Sequence, residues 1–165
     1  ISSEQVRQLR ALKDAGLDKT IADVWGVVRT TAADRAKLVK EWAAKARAHK
    51  GKPDVEVGRA LFNKTCVQCH TLFGTGGKVG PDITGANRAS LEYLLENILD
   101  PSAVIPKEYA LTVLTTTRGR ILSGIIREST AKAVTLVTPT EVLVLPADEV
   151  EKRESSPLSV MPDQV

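Results

Sequence analysis

The chain has 165 residues, 42% of them apolar, with a formal charge of +3 and a pI near 8.9. That apolar content supports a globular fold of one ordinary domain with an appendage, or two small ones. The balance of charge does not point to nucleic acid, and no apolar run is long enough to span a bilayer.

Residues 1–50 read as helices. Ser2 or Ser3 caps a first helix carrying Val6, Leu9 and Leu12, which Gly16 would end in a left-handed cap. Asp18 starts a second, with Ile21, Val24, Trp25 and Val28 on one face. Thr31 and Asp34 resemble a capping box for a third, whose apolar stripe is Leu38, Val39, Trp42 and Ala46. Both tryptophans read as packing residues, with electron relay as the alternative. Residues 35–52 hold Arg35, Lys37, Lys40, Lys45, Arg47, Lys50 and Lys52 against Glu41 alone. Such a run is either a solvated helix face or a docking surface for an acidic partner.

Gly51-Lys52-Pro53-Asp54 is a breaker cluster, and we divide the chain there into a helical N-terminal extension, 1–52, and a second domain, 53–165. The second domain opens with a helical run carrying Val57, Leu61 and Phe62, and then reads Cys66-Val67-Gln68-Cys69-His70. Two cysteines three apart with histidine directly after them are the attachment signature of c-type haem. Each thiol can add to one vinyl group of the porphyrin while the imidazole reaches the iron. A zinc site would need a fourth ligand, yet the chain has only these two cysteines and one other histidine, His49. A thioredoxin-like redox pair would need a βαβ context, which the preceding helical run does not offer.

Haem explains other features. Aromatic residues are only 4% of the chain, so the cofactor would supply much of the large apolar surface of the core. Its two propionates would bring the holo-protein nearer neutrality. The glycine-rich loop Thr71–Pro81 fails the phosphate-binding pattern at Lys78-Val79, and we expect its glycines to let the backbone approach the porphyrin. Haem attachment outside the cytoplasm implies a periplasmic or otherwise exported location. The first residue, Ile1, reads as that of a processed or excised chain.

From Ser90 a capped amphipathic helix carries Leu91, Leu94, Leu95, Ile98 and Leu99 and stops at Asp100-Pro101. The period then changes. Ala110–Thr117, Arg120–Glu128, Ala133–Thr138 and Glu141–Leu145, with a short strand near Val150–Glu154, form an antiparallel meander within an insertion spanning about 109–154. The tail contains the only methionine, Met161.

Residues 58–105 resemble class I cytochrome c. Gly58 and Phe62 stand at that fold's first-helix contact positions, Cys66, Cys69 and His70 at its attachment site, and Gly80-Pro81 at the loop proline that orients the proximal histidine. Met161-Pro162 resembles the distal-ligand motif. The runs from Gly80 to Arg88 and from Leu94 to Ser102 look more specifically like the haem-binding cytochrome domains of planctomycetes and verrucomicrobia, which sit at the end of large exported proteins.

The resemblance implies an α+β protein with a mostly helical cytochrome c core around one covalent haem c. It implies His70 as proximal ligand, donating its other ring N–H to Pro81, and Met161 as the second ligand, raising the reduction potential. A frayed terminal residue is the alternative for Met161. Asn87 or Arg88 would hydrogen-bond a propionate, against the alternative of an ordinary surface arginine.

Two departures stand out. The meander is far longer than class I chains place there; it resembles Sm-like small barrels, but its balanced charges and few aromatics argue against RNA. It reads as a rigid wall over one haem edge, or else as an interaction surface or homodimer contact. The usual C-terminal helix is also missing, so we expect the native chain to continue past Val165, with Asp163 as a cap, or other segments to cover Leu61 and Phe62.

The function implied is one-electron transfer between a redox partner, such as a fused or associated dehydrogenase, and a respiratory acceptor, without catalysis. A haem-based ligand sensor or peroxidase-like protein is the second class, and a docking module with an incidental haem the third.

Overall fold

A computed structural model describes residues 1–163. In chain order the elements are α1 (Ser3–Ala11), α2 (Ala15–Val24), β1 (Gly26–Val28), α3 (Ala33–Ala48), α4 (Val55–Thr65), β2 (Thr71–Leu72), β3 (Thr75–Gly76), α5 (Leu91–Leu99), β4 (Val104–Pro106), β5 (Leu111–Thr116), β6 (Ile121–Ser129), β7 (Ala133–Val137), β8 (Val142–Pro146) and β9 (Val150–Ser155). The fold is mixed α+β. The expected meander is present as a five-stranded sheet, and with five α-helices among the described residues the fold is not mostly helical. Two compact units form, one from Ile1–Val28 with Val104–Met161, the other from Arg29–Ala103 with the tail from Pro162.

In the first unit, Ser2 and Gln5 form a reciprocal capping box on α1, and Val6 is fully buried. Gly16 does not end this helix. Lys13 takes the left-handed conformation at φ 56°, and Asp14 accepts the Leu17 N–H at 2.8 Å, so Gly16 falls inside α2. A carboxylate able to satisfy an unpaired N–H outweighs the glycine as a boundary signal.

The second helix also stops earlier than expected. Val27 and Val28 leave it and pair with Ile105 and Val104 in an antiparallel ladder. Gly26 makes this possible: its φ is 148°, and a Cβ there would lie 2.2 Å from the Ile105 carbonyl oxygen.

The meander runs in the order β8-β7-β6-β5-β9, antiparallel throughout. Alternation places Leu114, Val134, Leu136 and Leu145 in one buried cluster, flanked by Leu122, Ile126, Leu143 and Val150. Each such leucine contributes about 1.5–3 kcal/mol by leaving water. The sheet is open rather than barrel-like, since β8 and β9 are its two edges and do not pair with each other.

In the second unit α3 packs against α5, with Val39 and Ala43, one turn apart, buried. Trp42 is not a core residue. It lies one position off that narrow stripe, 48% exposed, with the Lys45 ammonium 4.8 Å from its ring centre. Thr31 does not cap α3 either; Ala32 holds the cap position without a side-chain hydrogen bond. Asp100 is buried and ion-paired with Arg29, whose N–H donates to the Ala103 carbonyl at 2.9 Å. The basic run is partly answered within this unit: Arg35 donates to Asp163 at 2.6 Å, Arg47 to Glu92, and Lys37 lies 3.8 Å from Glu41. Asp163 thus serves as an ion-pair partner of Arg35, and the helix it is expected to cap lies outside the described residues.

Candidate functional site

The site is built at the end of α4. Asp54 starts this helix, its carboxylate accepting the N–H groups of Glu56 and Val57, both at 3.0 Å. The helix closes on Cys66, whose N–H reaches the Phe62 carbonyl at 2.8 Å. The chain keeps turning, with Cys69 and His70 both donating to the Cys66 carbonyl at 3.1 and 3.0 Å. The thiols and the imidazole therefore follow one another on a single coiled segment.

The loop after His70 folds back over this segment. Gly77 N–H donates to Val67 at 2.8 Å, Gly80 N–H to Cys69 at 2.7 Å, and the Thr71 hydroxyl to the Gly77 carbonyl at 2.8 Å. Gly76, Gly77 and Gly80 approach the chain itself. A Cβ on Gly77 would lie 1.9 Å from the Gln68 carbonyl oxygen, one on Gly76 2.1 Å from that of His70, and one on Gly80 2.7 Å from the His70 ring. No side chain fits between the loop and the motif.

His70 is half-buried, and its Nδ1 donates to the Pro81 carbonyl at 2.9 Å. A carbonyl only accepts, so the proton sits on Nδ1 and Nε2 keeps its lone pair for a metal. The two thiols are close enough to influence each other. Burial raises the pKa of both above the ordinary thiol range, and the neighbouring Cys69 raises that of Cys66 further. They are neutral thiols near pH 7. A redox-active pair would show the opposite shift. Among the described residues no three His, Cys, Asp or Glu side chains converge to hold a metal ion.

Asn87 and Arg88 lie exposed before α5. The Asn87 carbonyl accepts from Ser90 at 3.2 Å, and Arg88 donates to the Thr84 carbonyl at 2.8 Å with its guanidinium 4.9 Å from the Phe73 ring centre. Phe73 turns the β2–β3 hairpin at φ 51°, its N–H held by the Thr84 hydroxyl at 2.7 Å. Thr84 also holds the Asp82 carboxyl below its usual range through hydrogen bonds. The sequence reading missed this Phe73–Thr84–Arg88 knot; the signal available was an aromatic beside glycine with an arginine downstream. Met161 is half-buried at the end of the first unit, its N–H donating to the Ser159 hydroxyl at 3.1 Å.

The residues present fit a covalent porphyrin. Two neutral thiols and an imidazole with a free Nε2 supply the donor set. Apolar surface is also on offer: no residue of α4 is buried, Val57 and Leu61 are 55% and 58% exposed, and Phe73 is 70% exposed.

Residues 55–109 match the family model for cytochrome c. The match supports a c-type cytochrome, a haem-based electron carrier whose family implies covalently bound haem c and a redox partner. No curated protein matches the chain. Among the described residues no helix is long and apolar enough to cross a membrane.

Proposed function

We propose that the chain carries single electrons through one haem c, bound by thioether links to Cys66 and Cys69 and ligated by His70 and Met161. The observation that carries this reading is the Nδ1 bond of His70 to Pro81 within a Cys-x-x-Cys-His segment matched to cytochrome c. When bound, the haem would supply the reversible one-electron couple. The chain's own work is to hold the imidazole in one tautomer, raise its basicity through the Pro81 bond, and offer a soft thioether that favours the reduced metal. Asn87 and Arg88 serve a propionate in this reading. Arg88 would do so while stacked on Phe73, which fixes its guanidinium plane.

The functional division falls at Gly51–Asp54, with 1–52 as extension and 53–165 as the cytochrome domain carrying the β insertion. We place the protein outside the cytoplasm, serving a dehydrogenase or respiratory partner, in keeping with its resemblance to the planctomycete and verrucomicrobial domains. Optical spectra of oxidised and reduced holo-protein test the ligation. A sulfur-to-iron band in the far red, with no shift when carbon monoxide is added to the reduced form, is expected. Rapid carbon monoxide binding without that band would remove Met161 as a ligand and favour the sensor or peroxidase-like reading.

A further inference from the structure

The two edges of the five-stranded sheet are chemically unlike. The β9 edge reads Val150-Glu-Lys-Arg-Glu-Ser155, exposed and charged from Glu151 to Glu154. The β8 edge reads Val142-Leu-Val-Leu-Pro146, without a charge, and its Val142 and Val144 are 62% and 65% exposed. Charge on an edge strand blocks pairing with another chain, and an uncharged edge permits it.

The hydrogen-bond phase of β8 says which groups are available. Thr138 N–H donates to the Glu141 carbonyl at 2.9 Å, and Ala147 N–H to the Lys132 carbonyl at 2.9 Å. With Leu136 opposite Leu143 and Thr135 opposite Val144, antiparallel alternation turns the backbone groups of Glu141, Leu143, Leu145 and Ala147 toward β7. Those of Val142, Val144 and Pro146 therefore point to the open side. Among the described residues no strand pairs there. Pro146, which has no N–H, stands where none is missed.

We propose that this edge pairs with the β8 edge of a second copy of the chain, antiparallel about a two-fold axis at Leu143. In that register Val142 of each copy exchanges N–H···O=C bonds with the second copy's Val144, and the proline stays out of the ladder. The exposed valines of both copies meet on one face of a continuous sheet. Charge decides the partner. An antiparallel two-fold register on β8 opposes no like charges, whereas each such register centred on Glu151, Lys152, Arg153 or Glu154 of β9 sets that charge against its own copy. The sheet is built to associate along one edge and to refuse the other.

The proposal rests on the sheet unit alone and stands or falls independently of the haem ligation. Its test is sedimentation velocity of the haem-loaded chain over a range of concentrations. A dimer is expected, and both Val144→Lys, which places a charge on the edge, and Val142→Pro, which removes an outward N–H, should run as monomers with unchanged far-ultraviolet circular dichroism and haem spectrum. A wild-type monomer throughout, or a dimer surviving in either folded variant, overturns the proposal. Should the proline variant lose its circular dichroism, the lysine variant decides, since Val144 is exposed and tolerates the longer side chain.

Discussion

The two compact units solve the problem of stability in different ways. In the sheet unit, buried leucines and valines from three strands meet one another, and the core is complete in the chain's own side chains. In the unit that bears Cys66, Cys69 and His70, the buried apolar side chains among those described are Val39, Ala43, Val79 and Ala103, all small, while α4 and α5 bury none. A unit with so little large apolar burial does not recover the conformational entropy of ordering its chain from packing alone. The comparison teaches that one half completes its core with its own side chains, while the other leaves room in its core for a prosthetic group.

The largest expected effect breaks the comparison directly. Replacing both Cys66 and Cys69 by serine should abolish covalent haem, read as loss of haem staining on a denaturing gel. Hydrogen exchange should then lose its protection across 29–103 while the strands of 111–155 stay protected. Equal loss in both units would mean that they share one core. Next in size, Leu136→Ala should destabilise the sheet unit by about 2–5 kcal/mol in denaturant titration, with no change in the haem spectrum.

A smaller effect sharpens the comparison from the other side. Asp100→Ala removes the carboxylate that answers Arg29 and should cost about 1.5–3 kcal/mol, confined to the haem unit. The smallest is set by pH. In haem-free protein the raised thiol pKa values favour the folded state fully below the unfolded thiol pKa, and that contribution is lost as pH rises through the folded values. Alkylation of the haem-free chain should therefore accelerate at a higher pH to the extent that 29–103 stays folded, and at the pH of a free cysteine where that segment has lost its protection; the holo-protein, its thiols consumed, should show no such dependence.

Much of this contrast can be read from residues in order. The attachment motif has few alternative meanings, the strand β7 alternates cleanly, and Ser90 caps α5 as its position implies, accepting the Tyr93 N–H at 3.2 Å. What escapes the sequence is decided by long-range contact. Nothing local says that Val27 and Val28 find strand partners some 75 residues away at Val104 and Ile105, so they look like more helix. Trp42 looks like core because it is large, yet the stripe that packs against α5 is narrow and is filled by Val39 and Ala43. The glycines of the haem loop announce a close approach without saying to what. The structure answers with the Gln68 and His70 carbonyls, which lie on the motif itself.

The pairing of β1 with β4 sets Val28 directly opposite Val104, so the chain leaves the sheet unit and returns to it at adjoining points about 5 Å apart. Topologically, residues 29–103 are a cassette hung on a two-strand clasp. A short turn joining Val28 to Val104 would close the clasp without the cassette, and the same junction could receive another. Evolution or an engineer could exchange the segment that carries Cys66, Cys69 and His70 while leaving the β8 edge of the host untouched.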